Sequence, residues 1–446
     1  MNAPESSPAA DRIRRWRAVH LTFGASIAAK VASILCTFAQ VPLAVGYLGQ
    51  EAYGFWMALL GIALLMNLVD FGIGVGLQRR LAEAWARGDT TLFRSTYLTA
   101  AASLGAIGLV VLAAGTPVIL FADWAVIFKL TEPAVAGHAR AALLIVIGFF
   151  AIGLPLNATA RVAAAVQRGW IQAGWIAAGS LVSLGLVALA VRFDLGFRTF
   201  LALACLAPLF QGIGLHFHLA HSLGWRGRWP ALLPRGEWRA LLGESLFFSA
   251  PQLGLALVQS LPPVIMALVA GPVILTAYNL LQRLFSLVAQ GQVMLLTPIW
   301  PAYTEACVRG DGTWVRKAFA VSLAATVAFA AALAAVAFAS PWLIRLWVGS
   351  AAATPAPDLI WSAAAWAVVL LAQQPLIYLI VGLGRLRGLA LYGTLGYAAS
   401  VVGMFVGSYL RGAPGILLGA AAGGLVIGIP GMCIETRRAL AQMTAH

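Results

Sequence analysis

Long apolar runs follow one another along almost the whole chain and leave only short polar connections between them. A helix that crosses the hydrocarbon core of a bilayer needs about 20 consecutive apolar residues. The predicted fold class is therefore an all-α integral membrane protein. On the same rule the sequence predicts twelve transmembrane helices, at 19–45, 51–79, 92–121, 134–161, 170–191, 198–222, 240–270, 272–300, 313–339, 357–382, 388–410 and 414–436.

The composition excludes a water-soluble domain. Of the 446 residues, 61% are hydrophobic and only 10% are charged, whereas soluble domains carry roughly 25% charged residues. The net charge of +14 could suggest a nucleic-acid partner. Its distribution argues against one, because the arginines lie in short connections between apolar runs, which is typical of the cytoplasmic loops of membrane proteins. Membrane lipids, and not nucleic acid, are the expected surroundings.

The charges in the connections predict the topology. The even-numbered connections and both ends of the chain hold most of the arginines, and cytoplasmic loops carry the excess of Lys and Arg. Both termini are therefore predicted to be cytoplasmic. The odd-numbered connections hold only Lys129, Arg192, Arg198, Arg345 and Arg411.

One sequence pattern occurs twice. The stretch 49–89 returns at 271–311, an offset of 222 positions, and seven of the twelve residues in 83–94 are identical at that offset. At the same offset Gly185 falls on Gly407. Six helices per copy is an even number, so the copies are predicted to be parallel repeats, an arrangement known from transporters. The predicted parts are a tail at 1–18, an N-lobe at 19–222, a linker at 223–239, a C-lobe at 240–437 and a tail at 438–446.

Three basic residues lie inside the predicted helices, where a charge at the bilayer centre costs about 2.5 kcal/mol or more. Lys30 and Arg283 are each about eleven residues into the first and eighth helices, and Arg140 is about six into the fourth. These positions favour a cationic cavity between the lobes. Arginine suits phosphate oxygens through its planar fork of donors. The alternative is that these side chains reach an interface or pair with a carboxylate.

Polar residues near these charges complete the predicted substrate site. At the repeat offset Lys30 falls on Gln252, so both copies of the repeat have a polar residue at the same predicted depth in the membrane. Asn279 and Gln282 add hydrogen-bond donors beside Arg283, and Gln40 follows Lys30 along the first helix. The predicted substrate-binding residues are Lys30, Gln40, Arg140, Gln252, Asn279, Gln282 and Arg283.

Acidic residues are scarce in the predicted helices. Asp70 lies late in the second helix and Glu244 early in the seventh, so either could carry a proton or a sodium ion as coupling ion. The alternative is a structural partner for a nearby arginine or helix end. No other cofactor is predicted. His216, His218 and His221 have no acidic or cysteine partner nearby and do not all share a helix face, so no metal site is predicted.

Several motifs resemble those of a known family. YLGQEAYGFW at 47–56, LVDFGIGVGLQRRLAEAWARGD at 68–89, and the run from AYNLLQRL at 277 to TPIWPAYTEACVRGD ending at 311 carry the resemblance. They are similar to bacterial polysaccharide exporters of the Wzx type. These are lipid-linked oligosaccharide flippases of the MOP superfamily, which also holds the MATE drug antiporters. The resemblance implies a V-shaped pair of six-helix lobes.

The resemblance also implies a function. Family members move undecaprenyl-diphosphate-linked sugars, such as O-antigen, capsule or exopolysaccharide units, to the outer leaflet of the bacterial inner membrane. In the family, basic residues on the first and eighth helices contact the diphosphate, and Lys30 and Arg283 stand at the corresponding places. The expected partners are glycosyltransferases and a polysaccharide polymerase, and a monomer suffices for the mechanism.

Two other classes of function compete with this one. An ion-coupled multidrug antiporter of the MATE type would need cationic substrates and a central carboxylate, whereas this predicted cavity is basic. A membrane enzyme such as a polymerase or ligase would need a long outer connection with catalytic groups. The sequence has none of sufficient length and polarity, so an enzyme is not expected.

Overall fold

The structure is a computed structural model that describes residues 8–66, 68, 73–225, 231–349 and 354–442. The described chain is almost entirely helical. Its α-helices are α1 (Pro8–Met66), α2 (Ile73–Ala86), α3 (Thr90–Phe121), α4 (Trp124–Ile127), α5 (Pro133–Ala136), α6 (Ala139–Ala165), α7 (Gly169–Arg192), α8 (Gly196–Ser222), α9 (Arg235–Ala270), α10 (Pro272–Leu296), α11 (Ile299–Val308), α12 (Gly312–Val348), α13 (Pro357–Gly382), α14 (Leu386–Gly423) and α15 (Ile429–Gln442). A π-helix, Gly424–Gly428, joins the last two.

Within the described residues, ten helices are long and apolar enough to cross a membrane. Two of them contain a glycine with non-helical backbone angles. Gly49 divides α1 (φ 78°, ψ 173°) and Gly412 divides α14 (φ 62°, ψ −136°). Counting the parts on either side of each glycine gives twelve segments. The prediction of an all-α membrane protein with twelve helices is therefore confirmed.

The helix ends differ from the predicted ones at both ends of the chain. α1 begins at Pro8, so most of the predicted tail 1–18 is helical. α15 continues to Gln442, inside the predicted tail 438–446. The rule of about 20 apolar residues identifies only the apolar part of a helix. The helix itself is longer, because backbone hydrogen bonding continues into polar sequence. The cytoplasmic placement of both tails and of the linker 223–239 stays a prediction.

The chain forms two compact units that are not contiguous in sequence. The first unit comprises Met1–Tyr47, Met66–Trp124 and Gly137–Ser249, and the second comprises Leu48–Leu65, Ala125–Ala136 and Ala250–His446. The sequence predicts contiguous lobes at 19–222 and 240–437. The difference arises because two short segments of the first half pack with helices of the second half.

The sequence repeat is also a repeat of backbone geometry. Gly49 and Gly271 have nearly the same angles, φ 78° and ψ 173° against φ 84° and ψ 171°. Asp89 and Asp311 both cap the following helix, each accepting a hydrogen bond from the backbone N–H three residues further on, at 2.8 and 2.9 Å. The positive φ explains why glycine stands at the start of both copies.

The offset of 222 does not hold along the whole repeat. The left-handed residues that follow α6 and α13 are Gln167 (φ 58°) and Gly384 (φ 71°), which are 217 positions apart. The offset falls because the connection before α13 is shorter than the one before α6, and the longer α12 only partly compensates. The expected equivalence of Gly185 and Gly407 is therefore wrong.

The first unit has a core of large aliphatic and aromatic side chains. Buried residues of α2, α3, α6 and α8 form one cluster, so these four helices pack together. The cluster includes Leu81, Leu104, Leu154, Val162 and Leu219, each at most 2% exposed.

The second unit contains a pair of helices in backbone contact. A Cβ placed on Gly407 would lie 1.9 Å from the carbonyl oxygen of Gly415, and one on Gly419 would lie 1.8 Å from that of Gly403. Small residues let membrane helices approach in this way. The glycine-rich run 419–428 is thus a helix-packing element.

Two prolines leave carbonyl groups that polar side chains bind. Pro375 has no N–H, so the carbonyl of Leu371 loses its helix partner. Gln292 Nε2 donates to that oxygen at 3.0 Å and to Thr326 Oγ1 at 2.8 Å. In α12, Ser340 Oγ donates at 2.7 Å to the carbonyl of Ala337, which precedes Pro341 by four residues.

The hydrogen bond from Gln292 to Leu371 predicts that substitutions of Gln292 and Pro375 have non-additive effects on stability. Gln292→Leu should destabilise the protein by about 1–3 kcal/mol, because it leaves a buried carbonyl without a donor. In a Pro375→Ala background the new N–H can donate to Leu371, so the same substitution should cost less. Thermal unfolding of the four purified variants tests this as a double-mutant cycle. Equal losses in both backgrounds would contradict the assignment.

Candidate functional site

Helix α10 carries the strongest group of predicted site residues. It starts after Gly271 with Pro272 in its first turn, and proline favours that position because its missing N–H has no helix partner there. One face of the helix is buried in the second unit and the other is open. We call Asn279, Gln282 and Arg283 the α10 cluster.

Residues 48–65 of α1 hold α10 in place within the second unit. A Cβ on Gly54 would lie 1.9 Å from the carbonyl oxygen of Pro272, so the two backbones touch. Thr276 Oγ1 donates to the carbonyl of Gln50 at 2.6 Å. The relative position of these two segments is therefore fixed by direct contact, one turn before the α10 cluster.

The α10 cluster combines donors at different depths. Arg283 is half-buried, Asn279 is 8% exposed and Gln282 is exposed. Asn279 and Arg283 are four residues apart, so they share a face of the helix. The described residues include no carboxylate that forms an ion pair with Arg283. Within the described residues, no carboxylate therefore competes with an anion for the guanidinium group.

Lys30 lies in the first unit. It is half-buried, and no described residue forms an ion pair with it. Nearby positions of α1 contact α7: Ser33 and Ser180 share a hydrogen bond of 2.7 Å, and Gln40 Nε2 donates to Ser183 Oγ at 3.3 Å. Gln40 therefore has a helix-packing contact in addition to its predicted role.

Arg140 is not deep inside a helix. The sequence places it about six residues into the fourth helix, but α6 begins at Ala139, so Arg140 is in the first turn and exposed. Residues 133–136 form the separate short helix α5. Arg140 is therefore less deep in its helix than predicted, and its role in substrate binding stays a prediction.

The remaining predicted residues are described only in part. Asp70 lies outside the described residues. Glu244 and Gln252 are positions on α9 whose side chains are not described. The proposed ion-coupling role of the two acids stays a prediction.

Sequence reasoning missed two residues of α1. Tyr53 is 1% exposed, and its hydroxyl donates to Asn279 Oδ1 at 3.4 Å. Glu51 is 3% exposed and accepts hydrogen bonds from the backbone N–H groups of Thr131, at 2.7 Å, and Glu132, at 2.9 Å, and from the Thr131 hydroxyl. The sequence does contain a sign of the role of Glu51, because a carboxylate at the start of an apolar run is unusual. It contains no such sign for Tyr53, because a tyrosine in an apolar run is ordinary.

The three histidines of α8 have different surroundings. His216 Nδ1 lies 2.9 Å from the hydroxyl of Tyr97, and Trp175 Nε1 donates to His218 Nδ1 at 3.4 Å. In the part of the chain that the structure describes, no group of His, Cys, Asp and Glu could hold a metal ion.

Comparison with known proteins identifies the fold. No protein-family model and no curated protein sequence matches this chain. Solved structures do match, and they show that the chain shares their fold of many long helices.

Three of the matching structures have TM-scores between 0.63 and 0.72. An inward-facing multidrug resistance MATE family transporter has a TM-score of 0.72 at 13% identity, covering 93% of this chain and 95% of its own. The lipid II flippase MurJ, in an inward closed conformation, has a TM-score of 0.69 at 10% identity, covering 94% and 90%. A MOP superfamily transporter from Pyrococcus furiosus, with a binding pocket of reversed polarity, has a TM-score of 0.63 at 13% identity, covering 97% and 96%.

These matches establish the fold and not the substrate. The three proteins are transporters or flippases, and their identities to this chain are between 10% and 13%. One fold supports different functions through the residues of its site. The substrate must therefore be argued from the side chains of this chain.

Proposed function

We propose that this protein is a flippase for undecaprenyl-diphosphate-linked oligosaccharide, an O-antigen, capsule or exopolysaccharide unit, in the bacterial inner membrane. The observation that carries the proposal is Arg283, a half-buried arginine that forms no ion pair with any described carboxylate. A charge of that kind inside a membrane helix is costly and is generally kept for function.

The chemistry of the α10 cluster favours phosphate. Arginine binds phosphate oxygens with two parallel N–H groups, and such charge-assisted hydrogen bonds are stronger than neutral ones. Asn279 and Gln282 can add neutral donors on the same helix. Lys30, a half-buried residue of the first unit, is the second basic residue that we propose for diphosphate binding. The fold is compatible with a lipid substrate, because the lipid II flippase shares it.

The proposed mechanism is alternating access. The basic residues bind the diphosphate from the cytoplasmic side, the sugar enters a polar cavity, and the lipid tail stays in the bilayer. A rocking motion of the two lobes then exposes the headgroup to the outside. We further propose that H⁺ or Na⁺ is the coupling ion, that both termini are cytoplasmic, that the protein acts as a monomer, and that its pathway partners are glycosyltransferases and a polymerase.

One observation favours a second candidate. The match to the multidrug resistance MATE transporter, with a TM-score of 0.72, makes ion-coupled drug export an alternative. A cationic drug would need an acceptor or a negative charge near the cavity. The α10 cluster instead presents a guanidinium group and two amides, a set that suits an anion better.

Deletion of the gene from its host separates the two candidates. We expect loss of the surface polysaccharide and accumulation of its lipid-linked unit, with unchanged susceptibility to cationic drugs, because the site is selective for a diphosphate. Extraction of the lipid-linked sugars and measurement of inhibitory drug concentrations test both points. Normal polysaccharide with increased drug susceptibility would favour the antiporter instead.

A further inference from the structure

Tyr53 places a buried hydroxyl group beside the α10 cluster. Its side chain is 1% exposed and contacts Trp56 edge to face, with ring centroids 5.8 Å apart. The hydroxyl donates to Asn279 Oδ1 at 3.4 Å. Because Tyr53 is so deeply buried, it is not expected to contact a substrate directly.

This hydrogen bond sets the direction of the Asn279 amide. An asparagine side chain has one oxygen that accepts and one NH₂ group that donates. Because Oδ1 accepts from Tyr53, the NH₂ group is turned away from the phenol. No described residue accepts a hydrogen bond from that NH₂ group. Among the described residues, the NH₂ group of Asn279 therefore has no acceptor, and it lies on the helix face that Asn279 shares with Arg283.

We propose that Tyr53 is a positioning residue, which orients Asn279 so that its amide and the Arg283 guanidinium form a subsite for one phosphate group of a diphosphate. The inference rests on the proposed function above. It deepens that function by explaining selectivity: a subsite made only of donors binds an anion and offers nothing to an organic cation.

The packing of the two segments keeps Tyr53 in register with Asn279. Gly54, the next residue, has no room for a side chain against Pro272, and Thr276 Oγ1 donates to the carbonyl of Gln50. These contacts lie within about two helical turns of the Tyr53–Asn279 bond. Removal of the Tyr53 hydroxyl alone should therefore leave the backbone where it is and release only the amide.

The test measures ligand binding to the full chain in lipid nanodiscs, with farnesyl diphosphate and farnesol as probes. For Tyr53→Phe we expect the affinity for farnesyl diphosphate to fall about 3- to 10-fold, the effect of one neutral hydrogen bond. The affinity for farnesol should not change, because that probe has no phosphate. Asn279→Leu should show the same loss, and the double variant should lose nothing further.

A matched control is Tyr278→Phe, which also removes a buried tyrosine hydroxyl from this region; Tyr278 is 3% exposed. It should bind both probes like the unchanged protein. Equal losses for both probes in Tyr53→Phe would assign Tyr53 a purely structural role and overturn the inference. If Tyr53→Phe left the affinity for farnesyl diphosphate unchanged while Arg283→Ala lowered it, the role of Tyr53 would be overturned and the proposed function would stand. If the protein without substitutions bound farnesyl diphosphate and farnesol equally, both the inference and the proposed function would be overturned.

Discussion

Gly407→Ala should destabilise the protein by about 3 kcal/mol, at the upper end of typical overpacking costs and a large effect for a single methyl group. The added Cβ would lie 1.9 Å from the carbonyl oxygen of Gly415, which is backbone and cannot rotate away. The two parts of α14 that pack at this point must therefore separate, and their other close contacts are lost. Thermal unfolding and the monodisperse yield after purification measure the effect.

Gly185→Ala is the matched control. Gly185 is also a mid-helix glycine, in α7, but apart from the adjacent backbone of that helix no described heavy atom lies within 4 Å of its Cβ position. Alanine has the better helix propensity, so this change should be neutral or stabilising by up to about 1 kcal/mol. If both variants unfolded at the same temperature, the backbone contact in α14 would be disproved.

Arg283→Ala should abolish export of the surface polysaccharide. The substitution removes the paired N–H groups proposed to bind the diphosphate, and truncation of one partner in a buried charge pair costs about 2–5 kcal/mol. That corresponds to roughly a 30-fold or larger loss of substrate affinity. Quantification of surface polysaccharide in a deletion strain complemented with the variant, at matched protein levels, measures it.

Two further variants make the Arg283 result specific. Arg283→Lys keeps the charge but not the fork of donors, so it should restore export only in part. Arg309→Ala removes an arginine that is 74% exposed and paired with Glu305 at 2.7 Å, so export should be normal. Normal polysaccharide with Arg283→Ala, at normal expression, would remove Arg283 from the site.

Much of the fold could be predicted because helix formation in a membrane depends on local sequence. Apolar runs of sufficient length predicted the twelve helices, and the 222-residue repeat paired Gly49 with Gly271, which share a backbone conformation. The same reasoning was less reliable at polar helix ends. It placed Arg140 about six residues into a helix, because the apolar run continues through the short helix α5 and hides the break before Ala139, whereas Arg140 is in the first turn of α6.

The candidate site could be predicted only as a set of residues that are unusual in a membrane helix. Arg283 was identified because a charge stands out in an apolar run. Tyr53 could not be, because its importance comes from a bond to Asn279, 226 positions away. At the repeat offset of 222, Asp70 falls on Gln292. Only the structure showed that Gln292 binds the carbonyl that Pro375 leaves free.

By itself, the sequence determined that this chain crosses a membrane many times, that it contains two similar halves, and that positive charges lie within its helices. Run length, charge and repetition are properties of neighbouring residues, so they can be read without coordinates. Only the tertiary structure decided that segments 48–65 and 125–136 pack with the second half. It also decided that Gly407 has no room for a methyl group while Gly185 does. Such differences depend on which surfaces meet, and residues far apart in the chain make those surfaces.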